Sequence, residues 1–236
     1  MAKAVIILSG GMDSATLLYD MKAKGLEIIA VSFDYGQRHS KELKCAAALC
    51  EKLNVEHKII DLSVLHEIAP SVLTKNELPI PDGEYNEDDI KLMAVPNRNM
   101  VMIALATSYA ISIGAHYIAY GAHAGDHALY ADCTPKFVRA MEKAVEACDY
   151  AGIKLLVPYL YMTKGEIAKV GLSLGVDYSL TWSCYKGGDL ACGKCATCIE
   201  RLEAFTFAGS KDPIEYEEDI EESLEDFEPS RRGELE

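Results

Sequence analysis

Short apolar runs alternate with helical segments through the first 61 residues of the chain. The apolar runs have the length of strands, and the segments after the first two repeat their apolar residues with the period of a helix. The predicted strands span 3–8, 27–33 and 56–61, and the predicted helices span 13–24 and 41–53. Gly25 is expected to end the first helix, and Ser40 is a candidate N-cap of the second. This alternation predicts a parallel sheet covered by helices on both faces.

The alternation stops at residues 62–98 and then resumes. The interruption contains four prolines and an acidic stretch at 84–89, so we expect a long irregular excursion of the kind that is usually functional. Beyond it, the predicted strands span 116–120 and 153–157, and the predicted helices span 99–113, 135–150, 164–171 and 199–207. Pro135 suits the first turn of a helix, and Thr163 with Glu166 has the spacing of a capping box. The whole pattern predicts an α/β fold with a five-stranded parallel sheet.

Composition and charge restrict the class of protein and its partners. Half of the 236 residues are apolar, which is enough for a large core, and no apolar run has the length of a membrane span. The net charge is −14, with 11 acidic residues in the stretch 214–236. This balance favours a small-molecule substrate and argues against direct binding of nucleic acid. No signal peptide is visible, so we expect a cytoplasmic protein that makes no membrane contact.

A glycine-containing segment joins the first predicted strand to the first predicted helix. It reads Ser9-Gly10-Gly11-Met12-Asp13-Ser14. The order strand, glycine turn, helix is typical of a phosphate-binding loop, because glycine permits close approach and the helix start offers unpaired amides. Asp13 and Ser14 are placed to cap those amides. The lysine of a Walker A loop is absent, and a plain glycine turn is the alternative interpretation.

Polar and aromatic residues crowd the ends of the predicted strands. They lie in the segments 9–14, 34–39, 95–99 and 121–133. Ligands of an open parallel sheet bind beyond the carboxyl ends of its strands, so we expect these segments to meet in one site. Simpler interpretations stay open for single residues: Asn97 or Asn99 as a helix cap, and His123 or His127 as solvated loop histidines.

Four of the eight cysteines lie close together near the C-terminal end. They are Cys184, Cys192, Cys195 and Cys198. Four thiolates complete the tetrahedral shell of a structural zinc ion, and they make His123 and His127 unnecessary as ligands. A redox pair, an iron–sulfur cluster and free buried cysteines are the alternatives.

Taken together, these motifs resemble those of a known family. The segment 9–14 resembles the signature of the PP-loop ATP pyrophosphatases. When three further segments and the four cysteines are included, the chain is similar to the QueC family from residue 4 to about 212. The three segments are Asp34-Tyr35-Gly36-Gln37-Arg38-His39, Val95-Pro96-Asn97-Arg98-Asn99 and Tyr130-Ala131-Asp132-Cys133. The resemblance implies an adenine-nucleotide α-hydrolase-like fold and a zinc-containing homodimer. It also implies an ATP-dependent ligase that converts 7-carboxy-7-deazaguanine and ammonia to 7-cyano-7-deazaguanine, through adenylated acid and amide intermediates, for queuosine or archaeosine formation.

The resemblance also implies roles for individual residues. The catalytic candidates are Asp13, Ser14, Arg38 and Lys164. The candidates for binding ATP, with Mg2+ as counterion, are Leu8, Ser9, Gly10, Gly11, Asp13, Ser14 and Phe33. The candidates for binding the substrate are Tyr35, Gln37, Arg38, Asn97, Arg98, Asn99, Asp126, Tyr130 and Asp132. This set suits the chemistry, because activating a carboxyl group at a phosphate requires charge stabilisation and no protein nucleophile.

The resemblance and the composition of the tail together predict three parts of the chain, and two features stay outside the family pattern. We expect an ATP-binding domain at 1–180, a zinc-binding segment with a helix at 181–212, and an acidic, disordered tail at 213–236. His123 and His127 depart from the family pattern, and the acidic tail is outside it. Two alternatives remain: a PP-loop enzyme acting directly on transfer RNA or on another carboxylate, and a non-enzymatic zinc-binding module.

Overall fold

The computed structural model describes residues 1–74, 79–83, 87–124 and 130–217. The strands are β1 (Lys3–Ile7), β2 (Glu27–Asp34), β3 (Glu56–Asp61), β4 (Tyr117–Ala119) and β5 (Lys154–Leu156). The helices are α1 (Met12–Ala23), α2 (Lys41–Leu53), α3 (Val64–Ile68), α4 (Glu87–Met93), α5 (Arg98–Ser112), α6 (Pro135–Ala147), α7 (Lys164–Ser173) and α8 (Ala196–Ala208). All five strands are parallel, in the order β3-β2-β1-β4-β5, so the predicted sheet is confirmed.

Strand β1 is the centre of the sheet and the point at which the strand order reverses. Its residue Ala4 pairs with Ile28 of β2 on one side and with Tyr117 of β4 on the other. The crossovers from β1 and from β4 therefore leave in opposite directions and open a crevice beyond the carboxyl ends of these strands. This topology places the predicted phosphate loop, which follows β1, at the mouth of the crevice.

Helices cover both faces of the sheet. Successive residues of β1 alternate between the faces, since Val5 belongs to the core beneath α5 and α6 while Ile6 belongs to the core beneath α1, α2, α7 and α8. Phe205 of α8 is buried in the second core and stacks edge-on against Tyr178 at 5.1 Å. The helix after the cysteines thus packs on the main sheet. In the described part of the chain, no helix combines the length and apolar composition needed to span a bilayer.

Most of the predicted helix boundaries hold, with identifiable exceptions. Thr163 and Glu166 form the predicted capping box, with the two reciprocal bonds at 3.1 and 2.8 Å. Pro135 opens α6, and Gly25 follows α1 with φ of 76°. Ser40 precedes α2 but makes no side-chain cap bond. Helix α8 begins at Ala196, earlier than predicted, because Cys198 donates its amide to the carbonyl of Cys195 and draws the cysteine loop into the first turn.

Two segments differ from the sequence-based expectation. The excursion at 62–98, predicted to be irregular, contains α3 and α4. The tail was expected to begin at 213, but Tyr216 forms a β-bridge with Ala191 and so packs against the cysteine segment. Most of the acidic tail lies outside the described residues.

A buried ion pair holds the chain where it leaves α8. The guanidinium of Arg201 is fully buried and binds both carboxylate oxygens of Asp212, at 2.7 and 2.9 Å. It also donates to the hydroxyl of Thr181 at 2.8 Å, while Tyr216 donates its hydroxyl to Asp212 at 2.6 Å. Removing one member of such a pair leaves an uncompensated buried charge.

We therefore expect Asp212→Asn to lower the free energy of unfolding by about 3 kcal/mol. The control is Asp177→Asn, which removes the half-exposed partner of Lys52 and should cost at most about 1 kcal/mol. Urea unfolding followed by circular dichroism measures both variants. Equal losses in the two variants would contradict the assigned role of the buried pair.

Candidate active site

A cavity of about 280 Å3 lies beyond the carboxyl ends of β1 and β4. It brings together most of the site residues predicted from the sequence. Those lining it are Leu8, Ser9, Gly11, Asp13, Ser14, Phe33, Tyr35, Gln37, Arg98, Asn99, Tyr130 and Lys164. The loops that carry them are far apart in sequence, and the parallel sheet collects them at one edge. The predicted convergence of the loops at one site therefore holds.

The hydroxyl of Ser14 organises the glycine-containing loop. Its Oγ accepts from the amides of Ser9 at 3.2 Å and Gly10 at 3.3 Å, and it donates to the carbonyl of Gly11 at 3.1 Å. Gly11 is the N-cap of α1 and makes no side-chain cap bond, so the predicted capping by Asp13 and Ser14 is wrong. The first amides of α1 lack partners within the helix, and the residues that carry them line the cavity, as an anion site requires.

Gly10 permits the close approach that shapes this loop, and Gly121 lies beside the loop. Gly10 has φ of 95°, and a Cβ there would lie 2.0 Å from the carbonyl oxygen of Glu42. Gly10 therefore packs the loop against α2 and does not itself line the cavity. A Cβ at Gly121, after β4, would lie 3.4 Å from the amide nitrogen of Ser14. Such a Cβ would make ordinary van der Waals contact with the start of α1, so Gly121 lies directly beside the first turn of that helix.

A charged cluster lies beside the loop. Lys164 donates to Glu200 Oε2 at 2.8 Å and lies 3.9 Å from Asp13 Oδ2, while His123 Nε2 lies 3.8 Å from the same oxygen. Burial disfavours the charged ammonium, but the carboxylates of Glu200 and Asp13 outweigh burial and raise the pKa of Lys164. The other carboxylate oxygen of Asp13 is buried and has no hydrogen-bond partner. A Mg2+ ion prefers such oxygen ligands, so Asp13 fits the implied counterion.

A second cation enters the cavity from the start of α5. Arg98 donates to the hydroxyl of Tyr35 at 2.9 Å, and its guanidinium lies 5.4 Å from the centre of that ring. Burial opposes its charge, but Tyr35, Tyr185 and Asp132 outweigh burial and raise its pKa. Arg98 therefore keeps its positive charge and suits an anionic group of a bound molecule.

The loop after β4 is fastened to α5 by Asn99 and Asp132. Asp132 Oδ2 accepts from the amide of Asn99 at 3.1 Å, and Asn99 Nδ2 lies 3.5 Å from Cys133 Sγ. Tyr120 donates to the carbonyl of Asp132 at 3.2 Å. Asn97, the N-cap residue of α5, has φ of 60° and no side-chain cap bond, so neither Asn97 nor Asn99 caps by its side chain. Asp132 thus positions the start of the helix that carries Arg98.

Some predicted residues lie elsewhere. Gly10, Arg38, Asn97 and Asp132 are not among the described residues that line the cavity, and Asp126 and His127 lie outside the described residues. The half-buried Arg38 donates its amide to the carbonyl of Leu73 at 3.0 Å. The catalytic and binding roles of these residues stay predictions.

Several cavity residues were missed in the sequence. The most unusual are His39 and Glu42, whose side chains are 2% and 13% exposed and whose Nε2 and Oε2 atoms lie 3.5 Å apart. Burial, together with Arg98, lowers the pKa of His39 to about 3. Burial raises the pKa of Glu42 to about 8 against the opposing effect of Arg98 and Lys164. His39 stands in a predicted loop motif, but Glu42 occupies an ordinary position at the start of α2 and gives no signal in the sequence.

The four cysteines form a second centre beside the cavity. Their Sγ atoms all lie within 4.8 Å of one another, and all four residues are buried. The Sγ of Cys192 accepts from the amides of Lys194 and Cys195 at 3.4 and 3.3 Å. Tetrahedral zinc with Zn–S bonds of about 2.3 Å would separate the sulfurs by roughly 3.8 Å, and Cys192 and Cys198 are 3.9 Å apart. The donor set fits a structural zinc ion.

This cysteine centre also builds a wall of the cavity. Trp182, Ser183, Tyr185, Thr197 and Glu200 line the cavity from positions next to the cysteines. Trp182 donates its amide to the carbonyl of Gly10 at 3.0 Å and its indole to the carbonyl of Cys184 at 3.0 Å. The four-cysteine centre and the glycine-containing loop are therefore joined through one tryptophan.

The matches to known proteins span nearly all of the described residues. The family model described as "Queuosine biosynthesis protein QueC" matches residues 3–209. A 7-cyano-7-deazaguanine synthase from Methanoregula boonei is 58% identical, over 91% of this chain and 99% of that protein. One from Caldicellulosiruptor saccharolyticus is 57% identical, over 93% and 97%. Among solved structures, the NMN synthetase of Francisella tularensis has 15% identity and a TM-score of 0.48, over 88% of this chain and 77% of that one. Only residues 210–236 extend beyond the family match at the C-terminal end.

Proposed function

The chain belongs to the QueC family, and on that premise we propose that it is an ATP-dependent 7-cyano-7-deazaguanine synthase. The substrate is 7-carboxy-7-deazaguanine, ammonia supplies the nitrogen, and the product is the nitrile used for queuosine or archaeosine formation. The observation that carries the proposal is a cavity in which the glycine-containing loop meets Arg98, Lys164 and several aromatic side chains. It suits a flat heterocyclic acid that is activated at a phosphate.

Different residues of this cavity have different roles in the proposed reaction. When bound, ATP would supply the adenylyl group that activates the carboxyl oxygen, and pyrophosphate would leave. The amides at the start of α1 would hold its phosphates, Asp13 would hold Mg2+, and Lys164 would neutralise developing negative charge. Arg98 orients the carboxylate of the substrate, with Tyr35 fixing the guanidinium. A Zn2+ ion on the four cysteines would be structural and would fix the wall that carries Trp182.

Further parts of the proposal concern the setting of the enzyme. All eight cysteines are unpaired, as in proteins of a reducing compartment, so we place the enzyme in the cytoplasm. The acidic net charge supports a reaction on the free base and argues against direct contact with nucleic acid. A homodimeric assembly follows from the family resemblance.

Mass spectrometry of the reaction products tests the proposed activity. The purified chain is incubated with 7-carboxy-7-deazaguanine, ATP, Mg2+ and 15N-labelled ammonium. We expect a nitrile product that contains one 15N atom, together with ATP consumption that depends on the acid. ATP consumption only with transfer RNA would favour a PP-loop enzyme acting on RNA, and no consumption with either would favour a non-enzymatic zinc module.

A further inference from the structure

Glu42 is a buried carboxyl group that the proposed roles leave unused. Its side chain is 13% exposed, lines the cavity and stands on the first turn of α2. Its carbonyl oxygen faces Gly10 so closely that a Cβ on that glycine would lie 2.0 Å away. The position of Glu42 is therefore fixed relative to the loop at which the carboxyl group of the substrate is activated.

The charges around Glu42 come from several elements. Arg98 faces it from α5, Lys164 from α7 and Tyr35 from the end of β2, and Cys45 is one turn further along α2. The imidazole of His39 lies 3.5 Å from its carboxylate. Burial outweighs the two cations and raises the pKa of Glu42 to about 8, so the group exchanges a proton near neutral pH. A general base works best when its pKa lies near the working pH.

The amide-forming step of the proposed reaction needs a base. Most ammonia in neutral water is ammonium, whose nitrogen has no lone pair and cannot attack carbon. We propose that Glu42 is the general base that takes a proton from ammonium in the cavity, and this inference rests on the proposed function. The carboxylate of Glu42 gains the proton, and the freed nitrogen lone pair forms the C–N bond with the activated carboxyl carbon. The C–O bond to phosphate breaks, the oxygen leaves with the electron pair, and the amide nitrogen releases its extra proton to water.

The neighbouring groups are unsuited to this role. Lys164 and Arg98 hold their protons because their pKa values are raised. Burial lowers the pKa of His39 to about 3, so its imidazole is a weak base. Burial raises the pKa of Cys133, so its thiol stays protonated. Among these cavity groups, Glu42 alone combines proton exchange near neutral pH with a place beside the loop.

Two nucleophiles, hydroxylamine and ammonium, distinguish activation of the substrate acid from deprotonation of ammonium. Hydroxylamine is largely unprotonated at neutral pH and captures an activated acid as the hydroxamate without a base, whereas ammonium needs one. At pH 7.5 we expect Glu42→Gln to lower the ammonium-dependent rate about 100-fold and to keep hydroxamate formation within about three-fold of the wild type. Glu51→Gln, an exposed position on the same helix, is the matched control and should change neither rate.

Each outcome of this experiment is decisive. If Glu42→Gln keeps the ammonium-dependent rate, or loses both rates equally, Glu42 is not the base. If the wild type consumes no ATP with the acid and forms no hydroxamate, the proposed function itself fails, and the inference fails with it. The failure of the inference about Glu42 and the failure of the proposed function therefore give different results.

The pH profile of the wild type gives a second measurement that does not depend on a variant. Activity requires the deprotonated carboxylate, so the ammonium-dependent kcat/KM, expressed per total ammonium, should rise with pH and level off above about pH 8. Without a base, it would follow the fraction of free ammonia and continue to rise to the pKa of ammonium. A profile without the break near pH 8 would overturn the proposal.

Discussion

Replacing Lys164 with methionine is expected to lower nitrile formation about 1000-fold. The ammonium lies between Asp13 and Glu200 at the phosphate loop, and methionine keeps the length of the side chain but removes its charge. Negative charge that develops on the phosphate oxygens then loses a fixed cation that would stabilise it. Turnover of 7-carboxy-7-deazaguanine, followed as product by mass spectrometry, measures the loss.

The same helix supplies the control for this variant. Lys169 is exposed and lies 4.1 Å above the ring of Phe207, outside the cavity lining, so Lys169→Met should keep turnover within about two-fold. Circular dichroism and Tm must show that Lys164→Met is folded, since it leaves two carboxylates without their shared partner. A folded Lys164→Met variant with wild-type turnover would remove Lys164 from the proposed mechanism.

Loss of one zinc ligand is expected to release the metal and unfold the cavity wall. Cys198 is buried on the first turn of α8, and its sulfur lies 3.5 Å from that of Cys195 and 3.9 Å from that of Cys192. Structural zinc contributes about 10 kcal/mol or more to the folding of small zinc domains, so this site should stabilise its segment strongly. We expect Cys198→Ser to retain less than about one tenth of the zinc and to lower both Tm and activity.

Metal analysis and thermal unfolding check this prediction, with Cys148→Ser as control. Cys148 is exposed at the end of α6 and away from the four-cysteine centre, so its variant should keep zinc and Tm. A chelator should destabilise the wild type in the same way as the ligand substitution does. Full zinc content in Cys198→Ser would contradict the four-cysteine assignment, and iron in place of zinc would favour the iron–sulfur alternative.

The elements of the fold could be predicted because their signals are local. The apolar runs at β1, β2 and β3, the Thr163–Glu166 capping box and Pro135 each act within a few residues, so the sequence identifies them without tertiary information. The helices α3 and α4 were missed because they are short and lie among prolines, where periodicity has too few residues to be read. Their formation depends on packing against the rest of the domain.

Only those residues of the site that occur in or beside recognisable motifs could be predicted from the sequence. Asp13, Arg98 and Lys164 were found by their positions in or beside recognisable segments, and all three line the cavity. Glu42 was missed because it does not stand out in its segment. Its importance comes from what the fold brings next to it, the phosphate loop, whose Gly10 lies against the backbone of Glu42.

The sequence by itself therefore determined the parallel α/β architecture, the phosphate loop, the four-cysteine centre and the family. Only the tertiary structure decided that the cysteine centre builds a wall of the cavity and that Trp182 joins it to the loop at Gly10. It also decided the chemical state of Glu42, because burial and neighbouring cations set the pKa of a carboxyl group, and both depend on elements that are distant in the chain. Composition and spacing carry no information about that environment.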